Sequence, residues 1–292
     1  MWNLIGKEIS AATGAAFSVE TRSSVGGGCI NTAYRVEGGA RRFFVKTNRA
    51  SALPMFEAEA GGLHEIAATC AIRVPNPVCA GVAADRAFLV LEFIDFATRS
   101  NGSGEELGRR LAAMHRVVAQ RCGWRRDNTI GATPQINTPT ENWPEFWRER
   151  RLGYQLALAA RSGYRGALQR GGERLLAKLE GFFAGYAPPP SLLHGDLWGG
   201  NFAFDRDGTP VVFDPAVYYG DRETDLAMTE LFGGFPASFH AAYREDFPLD
   251  PGYRVRKTLY NLYHVLNHLN LFGGGYLGQA EEMIARLLSE AG

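Results

Sequence analysis

The chain has 292 residues, of which 46% are hydrophobic and 21% charged, a composition typical of a soluble globular protein with one large or two modest domains. Its 31 lysines and arginines balance 31 aspartates and glutamates, so net charge gives no reason to expect nucleic acid or an anionic membrane as partner. The 4 cysteines form no C-x-x-C pair, which argues against a disulfide framework and a zinc finger. No apolar stretch approaches the ~20 residues of a membrane span, and we expect a cytoplasmic protein without a targeting segment.

The first hundred residues are rich in turns and predict a small twisted sheet. Between the third and fourth β-like runs, a helix is predicted from Pro54, because Phe56, Leu63 and Ile66 recur at helical spacing. The β-like runs lie at 18–22, 31–36, 42–46, 77–81 and 87–93.

The character of the chain changes after Asp95, where a polar, glycine-containing stretch begins. Two short apolar runs, ending at Leu193 and Phe213, interrupt a region that is otherwise helical. We therefore predict an α+β fold with a first domain at 1–96 and a second, mostly helical domain at 97–292. The predicted helices are 105–118, 142–159, 166–186, 221–233, 237–245, 253–272 and 279–290.

The segment H-G-D-L-W-G-G-N at 194–201, followed by V-V-F-D at 211–214, carries the most chemical information. Phosphoryl transfer from a nucleotide needs a carboxylate that holds the acceptor hydroxyl, and oxygen ligands for Mg²⁺. Asp196 fits the first role, and Asn201 and Asp214 fit the second. A D-x₄-N match alone is weak, because Asp and Asn are also common in ordinary turns.

Two features of the first domain favour a kinase. Gly26, Gly27 and Gly28 lie between two β-like runs, as a loop over nucleotide phosphates would, and Lys46 ends the next run. The spacing is not that of a P-loop. Taken singly, the glycines are also typical of a hairpin and the lysine of a solvated strand end.

The helix from Pro54 provides a further test of the kinase interpretation. Glu59 falls between Leu63 and Ile66 on the apolar stripe, whereas Glu57 points away. Because an unpaired buried carboxylate is costly, we predict an ion pair between Glu59 and Lys46, as kinases use to orient the donor phosphates. The alternative is a glutamate that reaches solvent at the domain edge.

Together these motifs resemble the fructosamine-3-kinase (ketosamine-3-kinase) family, a branch of the protein-kinase-like fold close to the aminoglycoside and choline phosphotransferases. The residues that carry the resemblance are Gly26–Asn31, Phe44–Lys46, Glu57–Leu63, His194–Asn201, Phe213–Ala216, Tyr218–Phe235 and Leu262–Phe272.

The resemblance implies a small antiparallel-sheet lobe with one helix, a larger helical lobe, and ATP between them. It implies transfer of the γ-phosphate to the third hydroxyl of a ketosamine, a deglycation activity. In that reaction Lys46 contacts the phosphates, Glu59 orients it, Asp196 is the catalytic base, and Asn201 and Asp214 hold Mg²⁺.

The resemblance further implies that Glu92, Phe93 and Ile94 meet adenine through backbone groups. The departures from protein kinases include Gly195, which stands where those enzymes have arginine, and a missing A-P-E segment, so we expect no phosphorylation-switched activation loop. The loop over the phosphates comprises Gly26, Gly27, Gly28, Cys29 and Asn31.

Several residues have two interpretations. Trp198 stacks on the substrate or fills the interlobe core. His264 and His268 are placed on a polar helix face that lines the acceptor cleft. Asp221 is expected to brace the catalytic loop, 194–201, by accepting hydrogen bonds from its backbone. Cys29 is either a small residue chosen for space or a redox-sensitive thiol whose oxidation lowers activity.

The expected partner is a small-molecule or protein-bound ketosamine, with no nucleic acid and no membrane. We expect a monomer, with a redox-linked dimer through Cys29 as a further hypothesis. Two alternatives stay open at this point. One is another small-molecule kinase, for an aminoglycoside or choline, and the other is a non-catalytic nucleotide-binding module.

Overall fold

The computed structural model describes residues 1–26, 30–97 and 103–291, and the chain forms two compact units. The first comprises Met1–Ser103 and Phe202–Pro215, and the second comprises Gly104–Asn201 and Ala216–Gly292. The predicted division at residue 96 treated the two domains as consecutive pieces, with 202–215 in the second. The structure instead places that segment in the first unit.

The first unit contains a five-stranded antiparallel sheet with strand order β1-β2-β3-β5-β4. All five predicted runs overlap strands, although the first strand begins later than expected. Strand β5 lies between β3 and β4 and is buried along most of its length, which explains its nearly continuous apolar sequence. The strands are β1 Thr21–Val25, β2 Thr32–Gly38, β3 Arg41–Arg49, β4 Pro77–Ala83 and β5 Arg86–Glu92.

The described residues of the first unit form two α-helices, where the sequence predicted one helix. Helix α2, Leu53–Ala68, is the predicted helix, and α1, Trp2–Thr13, was not foreseen. Ile5 and Ile9 lie one turn apart on α1 and are fully buried with strand residues of the sheet. The expectation of a single helix was wrong, because two apolar residues one turn apart are too few to indicate a helix by periodicity.

The hairpin of β9, Phe202–Phe204, and β10, Pro210–Val212, completes the first unit. The amide of Ala97 donates to Phe204 O at 2.9 Å, and the amide of Val212 donates to Arg73 O at 3.0 Å. These backbone hydrogen bonds explain why the hairpin joins the first unit.

The second unit is mostly helical, as predicted. The predicted helix at 142–159 is built from three pieces, which are α4 at Trp143–Phe146, a π-helical segment at Trp147–Gly153, and α5 at Tyr154–Arg161. No helix within the described ranges is long and apolar enough to cross a membrane. The elements of this unit are α3 Gly104–His115, β6 Asn128–Ile130, β7 Thr133–Gln135, α4 Trp143–Phe146, α5 Tyr154–Arg161, α6 Ala167–Ala177, β8 Ser191–Leu193, β11 Tyr218–Gly220, α7 Glu223–Leu231, α8 Ala237–Asp246, α9 Tyr253–Phe272 and α10 Leu277–Glu290.

Helices α3 and α8 approach each other closely at Gly108. A Cβ atom on this glycine would lie 2.4 Å from Phe239 O and 3.0 Å from Tyr243 N. Backbone atoms cannot move aside as a flexible side chain can, so the helix pair requires glycine here.

We predict that Gly108→Ala lowers the free energy of unfolding by about 1–3 kcal/mol, because the added methyl group overpacks this helix contact. Gly278→Ala in α10 is the matched control, since a Cβ there would meet nothing within 4 Å. Urea unfolding of both variants tests the prediction. Equal stability of the two variants would contradict it.

Candidate active site

Lys46 is the centre of a buried ion cluster in the first unit. Its Nζ lies 2.6 Å from Glu59 Oε1 and 2.5 Å from Asp214 Oδ1. Lys46 lies on β3, Glu59 on α2, and Asp214 two residues after β10. The predicted pair of Lys46 and Glu59 is confirmed, and Glu57 is exposed as expected.

The two carboxylates keep the buried lysine charged. Burial alone would lower the pKa of Lys46, but the charges of Asp214 and Glu59 and their hydrogen bonds raise it well above its ordinary value. The Glu59 side chain is only 11% exposed, whereas that of Asp214 is 45% exposed. Glu59 therefore serves as the internal counter-ion, and Asp214 is the carboxylate that a ligand can reach.

The backbone of Asp214 has a left-handed conformation, with φ of 58°. This region is uncommon for residues other than glycine, although Asp tolerates it better than most. A glycine would fit the backbone with less strain, so the presence of aspartate here favours a role for its carboxylate.

The loop after β8 brings Asp196 and Asn201 together in the second unit. Asn201 Nδ2 donates to Asp196 O at 2.8 Å and to Asp196 Oδ2 at 3.2 Å. Because the amide nitrogen donates these hydrogen bonds, the carbonyl oxygen of Asn201 is the atom of this side chain that could ligate a metal ion. Gly195 precedes the aspartate with φ of 82°, and a Cβ on it would lie 2.1 Å from Ala216 O. Only glycine fits at this point.

Asp225 on α7 holds the start of this loop. Its carboxylate accepts hydrogen bonds from His194 N at 2.7 Å and Gly195 N at 2.9 Å, and it lies 3.1 Å from His115 Nε2. Burial works to raise the pKa of Asp225, but the hydrogen bond with His115, nearby histidines and the backbone amides hold it below its usual value. The loop is therefore fixed by an ionised carboxylate.

The prediction that Asp221 braces the catalytic loop was wrong. Asp221 instead accepts hydrogen bonds from Tyr186, Tyr260 and the amide of Glu223. Both aspartates belong to the same D-R-E-T-D segment, four residues apart. Asp221 precedes α7, and Asp225, which lies on α7, reaches the loop. Sequence reasoning thus found the segment and missed Asp225.

The other acidic residues of this segment are paired within the unit. Glu223 accepts hydrogen bonds from Arg256 at 2.8 and 3.0 Å, and Glu230 accepts from Lys257 and Tyr253, each at 2.7 Å. The segment is therefore not a free acidic surface for a polycationic substrate.

Of the predicted phosphate loop, Gly26 and Asn31 are described, and Gly27, Gly28 and Cys29 lie outside the described residues. Asn31 Oδ1 accepts a hydrogen bond from Asn48 Nδ2 at 2.7 Å. Asn48 lies on β3, so this contact fixes the end of the loop to the strand that carries the buried lysine.

The predicted adenine contacts lie at the end of β5. The N–H of Glu92 donates to Asn76 O at 2.8 Å, so this donor is engaged within the first unit. The backbone groups of Phe93 and Ile94 follow the strand, and their contact with adenine stays a prediction.

Arg73 makes two ion pairs in the first unit that the sequence did not indicate. Its guanidinium donates to Glu92 Oε1 at 2.8 Å and to Asp205 Oδ2. Asp205 also caps the β9–β10 turn by accepting from the amide of Thr209 at 2.9 Å. Arg73 therefore links the end of β5 to the hairpin that leads to Asp214.

The three predicted substrate residues differ in their surroundings. Trp198 is 38% exposed, which favours substrate stacking over a core position. His264 is buried in α9, so its placement on a polar face was wrong; α9 also buries Asn261 and Asn267 and has no wide polar face. His268 is half-buried and contacts His264 O through Nδ1 at 2.7 Å.

The sheet with a buried lysine–glutamate pair, followed by an Asp-x₄-Asn loop, defines a phosphotransferase of protein-kinase-like fold. The crystal structure of a thermostable mutant of the aminoglycoside phosphotransferase APH(4)-Ia has the same fold. Its TM-score is 0.64 at 14% identity, and the match covers 98% of each chain.

The profile of the fructosamine kinase family matches residues 1–290, and the chain belongs to this family. A "probable ketoamine kinase" of Synechocystis is 49% identical over 98% of this chain and 97% of its own length. The chloroplastic protein-ribulosamine 3-kinase of Arabidopsis thaliana is 46% identical over 93% of this chain and 83% of its own. A crystal structure assigned provisionally as a fructosamine-3-kinase, from Haemophilus somnus 129PT, has a TM-score of 0.90 at 29% identity and covers 97% of this chain and 96% of its own.

The buried His264 predicts a pH dependence of stability. Burial lowers its pKa to about 3, whereas the unfolded chain binds the proton near the ordinary 6.5. The unfolded state therefore binds more protons between these values, and stability falls as the pH decreases. We expect a loss of about 2 kcal/mol from this group between pH 6.5 and 5.

His264→Gln removes this titration, so its unfolding free energy should decrease less over the same pH range than that of the parent. Urea unfolding at several pH values measures the two slopes. Parallel pH profiles would show that His264 is not the responsible group.

Proposed function

We propose that the protein transfers the γ-phosphate of ATP to the third hydroxyl of a ketosamine. The chain belongs to the fructosamine kinase family, and the proposal rests on two charged sites that hydrogen bonds hold in place. One is the buried Lys46 with its two carboxylates, and the other is Asp196 in a loop held by Asp225. The relatives named as ketoamine and ribulosamine kinases support the choice of acceptor.

In this proposal the first unit binds the donor. The charged ammonium of Lys46 binds phosphate oxygens of ATP, and Glu59 holds that ammonium in position. The loop that begins at Gly26 and ends at Asn31 covers the phosphates. Backbone groups of Phe93 and Ile94 contact adenine.

Asn201 and Asp214 would hold Mg²⁺. Their amide and carboxylate oxygens suit this ion, which commonly takes one or two protein carboxylates and completes its shell with phosphates and water. Within the described ranges no group of three or more His, Cys, Asp and Glu side chains could hold a metal alone. Bound magnesium would neutralise charge on the donor phosphates.

Asp196 acts as the catalytic base. Its half-buried carboxylate, oriented by Asn201, accepts the proton of the acceptor hydroxyl. The hydroxyl oxygen forms a bond to the γ-phosphorus while the bond from that phosphorus to the bridging oxygen of ADP breaks. The products are ADP and a ketosamine 3-phosphate.

On the acceptor side, Trp198 stacks on the sugar or on its amine arm, because its exposed indole lies two residues after the base. His268 is the histidine of the predicted pair that a substrate can reach, since His264 is buried. The protein acts as a monomer on small-molecule or protein-bound ketosamines. A dimer through Cys29 stays a prediction.

The alternatives receive less support. A polycationic aminoglycoside favours an acidic cleft, but Asp221, Glu223 and Glu230 are paired within the second unit. A non-catalytic module commonly lacks one of the catalytic side chains, and here all of them are present.

We predict that the protein releases ADP from MgATP in the presence of ribuloselysine, erythruloselysine or fructoselysine. Kanamycin and choline serve as comparison acceptors in the same coupled assay. Activity on kanamycin or choline and none on the three ketosamines would contradict the proposal.

Asp196→Ala should abolish this turnover while nucleotide affinity changes by less than about twofold, because the base contacts the acceptor and not ATP. Nucleotide affinity is measured by titration calorimetry with ADP and Mg²⁺. A parallel loss of nucleotide binding and turnover would show that the role of Asp196 is assigned wrongly.

A further inference from the structure

Exposed aromatic side chains of the second unit lie near the catalytic loop. Trp198 belongs to the loop, and Phe232 and Phe272 are 42% and 53% exposed. Single exposed apolar residues are normal on a protein surface, but a connected group of them marks a binding site more often.

Phe232 and Phe272 are connected through His268. The ring centroid of His268 lies 5.0 Å from that of Phe232, 5.4 Å from that of Phe272, and 5.2 Å from that of Tyr276. We call these four residues the aromatic cluster. Its rings are tilted by 49–57° to the histidine, so they form a faceted surface and not a flat stack.

The aromatic cluster adjoins the catalytic loop through glycines. A Cβ on Gly199 would lie 2.9 Å from Gly233 O and 3.2 Å from the Cα of Gly234. Gly199 follows Trp198 in the loop, and Gly233 follows Phe232. This backbone contact places the cluster beside the loop that carries Asp196.

The chemistry of the aromatic cluster suits a cation. Aromatic faces attract ammonium groups, and Phe272 is the last residue of the 20-residue helix α9, whose C-terminus carries partial negative charge. The segments that build the cluster, 231–239 and 258–280, contain no Lys, Arg, Asp or Glu, so neither segment supplies a competing charged side chain.

His268 adds a hydrogen-bond acceptor. Its Nδ1 lies 2.7 Å from His264 O, and a carbonyl oxygen only accepts, so Nδ1 carries the proton. Burial lowers the pKa of His268, which keeps the ring neutral and leaves a lone pair on Nε2. An N–H group of a cationic ligand can donate to that nitrogen.

We propose that the aromatic cluster binds the protonated amine of the acceptor and the aliphatic chain attached to it. This inference rests on the proposed ketosamine kinase activity, because the ketosamine nitrogen is a secondary amine that is charged at neutral pH. The aromatic cluster then determines which amines the enzyme accepts in its ketosamine substrate, while residues of the catalytic loop contact the sugar.

Phe272→Leu and Phe232→Leu test the proposal, since leucine keeps the apolar surface and removes the aromatic face. We expect each variant to raise KM for ribuloselysine about 5- to 30-fold, with KM for ATP and kcat within about twofold. The inhibition constant of D-ribulose, which has the sugar chain without the amine, should also stay within about twofold. Val118→Ala, at an equally exposed position of the same unit, is the control and should change none of these constants.

The proposal is overturned if both leucine variants leave KM for ribuloselysine unchanged, or if they raise KM and the D-ribulose constant equally, since the cluster would then contact the sugar. Thermal unfolding of each variant checks that the fold is retained. Absence of turnover by the parent on every ketosamine is a different result, which refutes the proposed function itself.

Discussion

The ammonium group of Lys46 is buried where little water can solvate it, and the contacts among a strand, a helix and a hairpin of the first unit answer that constraint. A buried charge is tolerated only when opposite charge compensates it, and here Glu59 and Asp214 do so at hydrogen-bonding distance. The three residues come from a strand, a helix and a hairpin that lie far apart in sequence. The charge requirement therefore determines how these three elements pack.

The two carboxylates are not equivalent, and the difference has a chemical consequence. Glu59 is enclosed, so it maintains the charge on Lys46 whether or not a ligand is bound. Asp214 is open to solvent and can exchange its contact with the lysine for a ligand. In the proposed function, phosphate oxygens of the nucleotide are this ligand, because they bring negative charge to the same ammonium group.

The second unit also depends on a buried charge, which is the carboxylate of Asp225. Asp225 accepts hydrogen bonds from two backbone amides at the start of the catalytic loop, where Gly195 also adopts a positive φ. In protein kinases an arginine stands at the position of Gly195. The loop here is held by hydrogen bonds from its backbone amides to the buried carboxylate of Asp225.

Much of this arrangement could be predicted from local patterns. Helical periodicity placed Glu59 on the buried face of α2, and the cost of an unpaired charge then identified Lys46 as its partner. The contact of Lys46 with Asp214 could not be predicted in this way, because it joins residues 168 positions apart through a hairpin whose packing depends on tertiary contacts.

The predictions that were wrong also depend on tertiary contacts, which local sequence patterns do not contain. The predicted helix at 221–233 placed Asp221 and Asp225 one turn apart, so the pattern could not tell which carboxylate reaches the loop, whereas in the structure Asp221 precedes α7. His264 looked like a polar-face residue, but tertiary packing surrounds α9 on nearly all sides. Helix α1 was missed because its buried stripe consists of only Ile5 and Ile9 with few neighbours of the same kind.

The position of the transferred phosphate tests the proposed reaction directly. Incubation of the protein with MgATP and ribuloselysine, followed by ³¹P and ¹³C NMR of the product, locates the new ester. We expect a single phosphate on the third hydroxyl and one ADP for each ketosamine converted. A phosphate on another hydroxyl, or ADP formed without a phosphorylated sugar, would contradict it.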